Sequence, residues 1–336
     1  MFIPKEMRFI NHGRGGACDI LKEDVCDVPV PKEYEVLIEV AFAGVNRPDC
    51  FQRSGSYPPP PGASPILGLE VSGKIVALGE RVSQWRIGDM VCALTNGGGY
   101  AEYVCAPEGQ VLSIPKGQDL MTAAALPENF FTVWTNVFQR GNLKPNETFL
   151  VHGGSSGIGL TAIQLAHAFG SKVICTVGNE KKANVCKAAG ADVAINYKTE
   201  DFVDVVLEAT EGKGVDLILD MVGGEYIQKN LKALAIDGKL VQIAFLQSSK
   251  VDVDWSPLMT KRLTFTGSTL RPRTTEDKAM MANELEKKVW PLLNSGRVRP
   301  IIHKNFQLSD AKNAHALMES SEHIGKILLT VSNENK

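Results

Sequence analysis

The sequence predicts an α/β chain that joins a β-rich domain to a doubly wound parallel sheet. Three observations carry that expectation. Short β-like runs punctuated by Gly and Pro turns fill residues 35–127. Strand-like and helix-like runs alternate from about 147 to 268. At the start of the alternating region stands a glycine-rich turn, residues 151–159, reading VHGGSSGIG.

In the β-rich region the runs 35–40 (EVLIEV) and 73–79 (GKIVALG) are strand candidates. The proline-rich stretch 57–65 reads as a rigid surface loop inside the folded domain. The glycine-rich turn follows the apolar run Phe149-Leu150-Val151 and precedes an apolar-periodic stretch, 158–169. Strand, turn and helix thus come in the order a nucleotide site requires. Glycine lets backbone approach a pyrophosphate with no Cβ in the way. The free N–H groups at the helix start then face the phosphate charge.

Further strand candidates are 172–177, 193–195, 215–221, 239–245 and 263–266, after a first one at 149–152. They carry Val, Ile and Leu on both faces, which suits a parallel sheet covered by helices. Helical stretches at 181–189 and 226–235 lie between them. The remainder reads as a charged helix (276–293), a strand near 300–306, a helix (310–318) and a strand (326–330). This tail is short for a domain and is expected to fold back on the first one. The expected domains are therefore 1–127 with 269–336, and an inserted 128–268.

Composition narrows the function. A chain of 336 residues suits about two domains. Net charge is −2, with no long run of Lys or Arg, which argues against nucleic acid or an anionic membrane as the main partner. No apolar run approaches the roughly 20 residues of a membrane span. The first residues, MFIPKE, lack the apolar region of a signal peptide, so a cytoplasmic location is expected. The seven cysteines are scattered, with no C-x-x-C pair, and read as reduced, mostly buried thiols.

Taken in order, the motifs resemble the zinc-free quinone oxidoreductase branch of the medium-chain dehydrogenase/reductase superfamily. The first domain contributes Gly44-Val45-Asn46-Arg47-Pro48-Asp49, Arg53-Ser54-Gly55-Ser56-Tyr57-Pro58, Gly68-Leu69-Glu70-Val71-Ser72-Gly73, Gly88-Asp89-Met90-Val91 and Gly99-Tyr100-Ala101-Glu102-Tyr103. The second contributes the glycine-rich turn, Gly190-Ala191-Asp192, Ile195-Asn196-Tyr197 and Asp220-Met221-Val222-Gly223, and Gly325-Lys326-Ile327 closes the series. The resemblance implies a GroES-like β-rich catalytic domain, a Rossmann domain that binds NADPH, and a homodimer. The apolar run 263–266, last in the sheet, would need covering at its edge.

Zinc-dependent relatives bind metal through a cysteine and a histidine whose matching positions here are Asn46 and Leu69. Leucine cannot ligate zinc and an amide is a poor ligand, so no metal is expected. Without a Lewis acid or a nucleophile pattern, the chemistry falls to the cofactor's own hydride. Quinones and other electron-poor conjugated systems accept it readily. The alternatives are a reductase of alkenals or enoyl thioesters, and a nucleotide-binding structural or regulatory protein with little turnover.

The resemblance places Asn46 beside the nicotinamide and Tyr57 over the substrate, as catalytic candidates. It assigns Ser155, Ser156, Gly157 and Ile158 to the pyrophosphate and Thr132 to the nicotinamide end. Val222, Phe245 and Leu270 would line the cofactor, with Lys326 reaching it from the closing strand. At the end of strand 172–177, where NAD-binding relatives of the fold carry an acid, stands Gly178. Lys182 and Tyr197 resemble a pair that holds a 2′-phosphate. Glu180 is expected in the first turn of the next helix, where negative charge is favourable.

Overall fold

The computed structural model describes residues 3–332. The outermost ends of the expected first domain, residues 1–2 and 333–336, lie outside them. The chain divides into two compact units, Met1–Phe131 with Arg271–Lys336, and Thr132–Leu270. The expected limits fall a few residues earlier at each crossing. At the first crossing the physical reason is plain: the division lies inside a continuous helical stretch, Pro127–Val133 running into a wider π-helical segment, Trp134–Arg140. No turn residue marks it.

The first unit opens with β1 (Glu6–Asn11) and β2 (Lys22–Asp27), an antiparallel ribbon. Then come β3 (Glu35–Val45), α1 (Arg47–Arg53), β4 (Glu70–Leu78), β5 (Met90–Leu94), β6 (Tyr103–Pro107) and β7 (Val111–Ser113). Helices α2 (Leu120–Ala123) and α3 (Pro127–Val133) lead out of it. The second unit holds β8 (Thr148–Val151), α4 (Gly157–Ala168), β9 (Lys172–Val177), α5 (Glu180–Ala188), β10 (Val193–Asn196) and α6 (Phe202–Ala209). It continues with β11 (Val215–Asp220), α7 (Tyr226–Ala233), β12 (Leu234–Gln242), α8 (Ser256–Thr260) and β13 (Thr264–Gly267). The chain returns to the first unit as α9 (Thr275–Lys288), α10 (Trp290–Asn294), β14 (Ile302–Gln307), α11 (Ala311–Ser320) and β15 (Lys326–Thr330).

The long sheet of the first unit runs β14-β15-β3-β4-β5-β7, with β6 also paired to β3. β3 is central, which explains its nearly unbroken apolar sequence: both faces are buried. Its core includes Val36, Ile38, Val40, Val71, Ile75, Ile327 and Leu329. β3 is antiparallel to both β4 and β15. The end of β3 therefore lies beside the starts of β4 and β15, and this convergence of three strand ends builds the site described below.

The sheet of the second unit is wholly parallel, ordered β10-β9-β8-β11-β12-β13. The chain winds from β8 outward to β10, returns to β11, and winds outward again to β13. The reversal lies between β8 and β11. In open parallel sheets a ligand crevice forms at the carboxyl ends of the strands at such a point.

Two sequence expectations are corrected. The helix expected at 276–293 is two helices, because Pro291 cannot continue α9 but fits the first turn of α10. The strand expected at 239–245 starts at Leu234 and ends at Gln242. Asp237 adopts φ +62°, so Asp237-Gly238 reads locally as a turn although the strand runs through it. Helix α6, one of the helices expected between strands but not located from the sequence, fills the step between β10 and β11.

Candidate active site

Asn46 caps α1 just past the end of β3. The Asp49 carboxylate accepts the Asn46 backbone N–H at 2.8 Å, closing the first turn of α1. The Asn46 amide nitrogen donates to Glu70 Oε1 at 2.9 Å, and its amide oxygen accepts from Lys326 Nζ at 2.7 Å. Lys326 also forms an ion pair with Glu70, and both side chains are almost wholly buried. The other Glu70 oxygen accepts the backbone N–H of Glu128 at 2.9 Å, at the start of α3. Gly44 is the residue that permits this approach. A Cβ there would stand 2.0 Å from Glu70 Oε1.

Around this cluster the first unit gathers more buried charge. Burial raises the Asp49 carboxyl to about 6, although the N–H groups of Asn46 and Gly68 oppose the shift. Burial, aided by the Glu70 carboxylate, pushes Glu128 up to about 8. Burial pulls Lys278 down to about 8. Its Nζ donates to Asn96 Oδ1 at 2.6 Å and to the Arg271 carbonyl at 2.8 Å. Tyr57 lies under the Arg271 guanidinium, 5.6 Å from ring centroid to Cζ. Burial, then Glu128, raises its hydroxyl above the usual tyrosine value.

In the second unit the turn after β8 occupies the reversal point. Ser156 caps α4 and accepts the Gly159 N–H at 3.0 Å. Ser155 is buried. Gly157 and Ile158 form the first turn of α4, so their N–H groups belong to the unpaired set that faces an anion. Gly153 takes φ +67°. A Cβ on Gly159 would lie 2.4 Å from the Gly153 carbonyl oxygen and 2.5 Å from that of Gly154. The glycines are thus required by the tightness of the turn itself. Across the reversal, at the end of β11, the Asp220 carboxylate accepts the Val222 N–H at 2.6 Å and fixes that loop. The Phe245 ring folds over Gly223, where a Cβ would meet its Cδ1 at 2.5 Å. A buried string ties these strand ends together: Thr176 Oγ1 to His152 Nδ1 at 3.0 Å, His152 Nε2 to Asn230 Oδ1 at 2.7 Å, and Asn230 Nδ2 to Asp220 at 3.0 Å. Asn230 donates to Asp220, so its oxygen faces the histidine and Nε2 carries the proton. Burial lowers the His152 pKa, and the ring serves as a neutral strut.

At the end of β9, Gly178 lies under the Tyr197 hydroxyl; a Cβ there would be 2.8 Å from it. Asn179 caps α5 and accepts the Lys182 N–H at 2.9 Å. Glu180 occupies the first turn of α5. Thr132 is in the last turns of α3, its carbonyl accepting the Asn136 amide at 2.9 Å. Leu270 is buried at the end of the unit. The structure therefore joins Asn46 with Lys326, Ser155 through Ile158 in one turn, and Gly178 with Tyr197. It sets Phe245 apart as 45% exposed.

Comparison with known proteins follows this geometry. Residues 32–116 match the family described as alcohol dehydrogenase GroES-like domain, and residues 157–286 the one described as zinc-binding dehydrogenase. A quinone oxidoreductase of Lama guanicoe is 34% identical over 96% of this chain and 97% of its own length. The chain belongs to the quinone oxidoreductase family, within the medium-chain dehydrogenases/reductases. The crystal structure of Escherichia coli quinone oxidoreductase complexed with NADPH superposes with a TM-score of 0.86 at 30% identity, covering 96% of this chain and all of that one. The CurK enoyl reductase structure gives a TM-score of 0.84 at 25% identity, covering 98% of this chain and all of that one.

Leu69, the position matched by resemblance to the metal-binding histidine of zinc-dependent relatives, is buried and apolar. Among the described residues no group of three or more His, Cys, Asp or Glu side chains is placed to hold a metal. All seven cysteines are free thiols, four of them buried. No helix among the described residues is long and apolar enough to cross a membrane. Sequence reasoning quoted Glu70 within a motif but gave it no role. The available signal was an acid in an apolar strand between two glycine-containing motifs, and it does not say what the acid pairs with.

Proposed function

We propose that this chain is an NADPH-dependent, metal-independent quinone reductase. The observation that carries the reading is the glycine-rich turn at the sheet's reversal point in a chain of this family. The residues fit the dinucleotide: the backbone from Ser155 to Ile158 meets the pyrophosphate, and Gly178, Lys182 and Tyr197 meet the 2′-phosphate. Gly178 puts no carboxylate beside that phosphate, Lys182 supplies the cation and the Tyr197 hydroxyl a donor. Thr132, Val222, Phe245 and Leu270 complete the cofactor's surroundings. Bound NADPH supplies a hydride, that is two electrons with one proton.

The first unit's residues position and polarise the acceptor. Lys326 and Glu70 hold the Asn46 amide in one orientation, which prepares it to engage the nicotinamide end and the acceptor oxygen. Tyr57 covers the acceptor and excludes water. Positioning of this kind supplies roughly 7–11 kcal/mol in favourable cases. Zinc is disfavoured at Asn46 by charge, because the Lys326 ammonium already sits 2.7 Å from the amide oxygen that would have to ligate it. We further propose a homodimer paired through β13, an edge strand of the sheet. Light scattering at micromolar concentration should give twice the chain mass, and a monomer would refute it.

The test is NADPH oxidation with a panel of ortho-quinones, alkenals and enoyl thioesters, repeated with NADH. The reading expects the largest kcat/KM with a quinone and NADPH, and unchanged rates after chelation. Turnover confined to enoyl thioesters would replace it with the second reading, which the likeness to CurK enoyl reductase supports. Tight NADPH binding with no turnover on any acceptor would point to a non-catalytic role.

A further inference from the structure

Glu128 serves the Asn46 cluster through its backbone, whose N–H donates to Glu70 at 2.9 Å. Its side chain has no such task. Among the described residues the carboxyl accepts no hydrogen bond and forms no ion pair. The residue is half-buried, and neither carboxyl oxygen is sealed from solvent. The neighbouring acids differ. Glu70 holds Asn46, Lys326 and the Glu128 backbone, and Asp49 accepts from the Asn46 and Gly68 backbones.

Glu128 also stands in the right place. It is one link from Asn46, since its N–H meets one Glu70 oxygen while the Asn46 amide meets the other. Thr132, which the reading above puts at the nicotinamide end, follows four residues later on the same face of α3. The charged and titratable groups that face Glu128 are Glu70 on β4, Lys326 on β15, Asp49 on α1 and Lys278 on α9, with Tyr57 and Arg271 from the connecting segments. Burial and the Glu70 carboxylate raise Glu128 to about 8, so at neutral pH it keeps its proton. The other donors there are weaker acids or are tied. Burial raises the Tyr57 hydroxyl above its ordinary 10. Lys326 donates to Asn46 and Glu70, and Lys278 to Asn96 and the Arg271 carbonyl. A guanidinium does not release its proton.

We propose that Glu128 is the general acid of the reaction: its carboxyl gives the reduced acceptor the proton it needs at oxygen. The proposal rests on the reductase reading, whichever conjugated acceptor is reduced. The acceptor gains two electrons and one proton as hydride when a nicotinamide C–H bond breaks, and one negative charge is left on its oxygen. An O–H bond forms there as the Glu128 O–H bond breaks. Glu128 is left a carboxylate and recovers its proton from solvent, which its half-buried position permits. Acceptor, NADPH and one proton thus become reduced acceptor and oxidised cofactor.

The full-length Glu128→Gln variant keeps the shape of the side chain and loses the acid. It is compared with the parent for NADPH affinity, by fluorescence titration, and for kcat/KM with a quinone from pH 6 to 10. The expected result is unchanged NADPH affinity and a fall of about a hundredfold or more in kcat/KM at neutral pH. The parent should lose activity as pH rises through about 8, where the acid ionises. Lys278 also titrates near 8, so this alkaline limb must vanish in Glu128→Gln. A folded variant within about threefold of the parent, or one that keeps the limb, overturns the proposal. If the variant does not fold, the parent decides by carbon-13 resonances of labelled glutamates. A carboxyl must titrate at the same pH as kcat/KM, and none titrating above neutrality overturns the proposal. Should the parent reduce no acceptor, the functional reading fails by itself. The same resonances then test Glu128 separately, a carboxyl titrating near 8 supporting the acid and none refuting it.

Discussion

Lys326→Met tests whether the cluster at the three strand ends is held by charge. Lys326 and Glu70 are 3% and 0% exposed, so the substitution leaves a carboxylate buried without its cation. Breaking such a pair costs roughly 3–5 kcal/mol. Glu70 would keep two donors, the Asn46 amide at 2.9 Å and the Glu128 N–H at 2.9 Å, which places the expected loss near the lower bound. About 3 kcal/mol corresponds to a fall in Tm of roughly 6–12 °C for a unit of this size. Urea unfolding and calorimetry measure it directly. Glu70→Gln should also destabilise, since its neutral amide leaves the buried Lys326 ammonium without a counter-charge. The double variant should cost less than the two singles together, by about 2 kcal/mol or more. A Lys326→Met protein within 1 kcal/mol of the parent, or additive losses in the cycle, would refute the argument.

Gly159→Ala puts a Cβ against two carbonyl oxygens of the glycine-rich turn, and NADPH affinity should fall about tenfold or more, roughly 1.4 kcal/mol, in a fluorescence titration. Lys182→Ala should weaken NADPH by about 10–100-fold, the worth of a charge-assisted hydrogen bond, and leave NADH binding unchanged. Glu128 titrates near 8 when folded, above its ordinary 4.5, so the folded chain binds more protons than the unfolded one between those values. The Glu128 contribution to stability should therefore fall as pH rises from about 4.5 to about 8 and level off beyond, and the Tm of Glu128→Gln relative to the parent should rise over that stretch. His315, wholly buried on α11, behaves oppositely. Burial holds it down at about 3, so its contribution is full above about 6.5 and is lost as pH falls from there toward 3.

Much of the fold was legible because turn residues bracket the strands. β9 and β15 fall at the residues the sequence predicted, since Gly170 and Gly178 flank the first and Gly325 precedes the second. The errors came where local chemistry misleads. Asp237-Gly238 has the composition of a turn and bulges as one, but β12 is paired on both sides of it, Leu234 with β11 and Lys239 onward with β11 and β13. Pro291 sits in a charged periodic run that looks like one helix, and only its position at the start of a new turn separates the two.

The site was legible to different depths for a related reason. The glycine-rich turn is local: strand, turn and cap lie within nine residues, so sequence order is spatial order. The Asn46 cluster is not. Asn46, Glu70 and Lys326 come from three strand ends distant along the chain, and only the antiparallel pairing of β3 with both β4 and β15 makes them neighbours. That arrangement also fixes something ordinarily ambiguous, which way an asparagine amide points. A carboxylate can only accept and an ammonium can only donate. The amide nitrogen must face Glu70 and the oxygen Lys326. A buried ion pair is a poor source of stability, since well-packed apolar residues often do as well or better. Two charges that can hold one neutral side chain in a single orientation give the molecule a reason to keep this one.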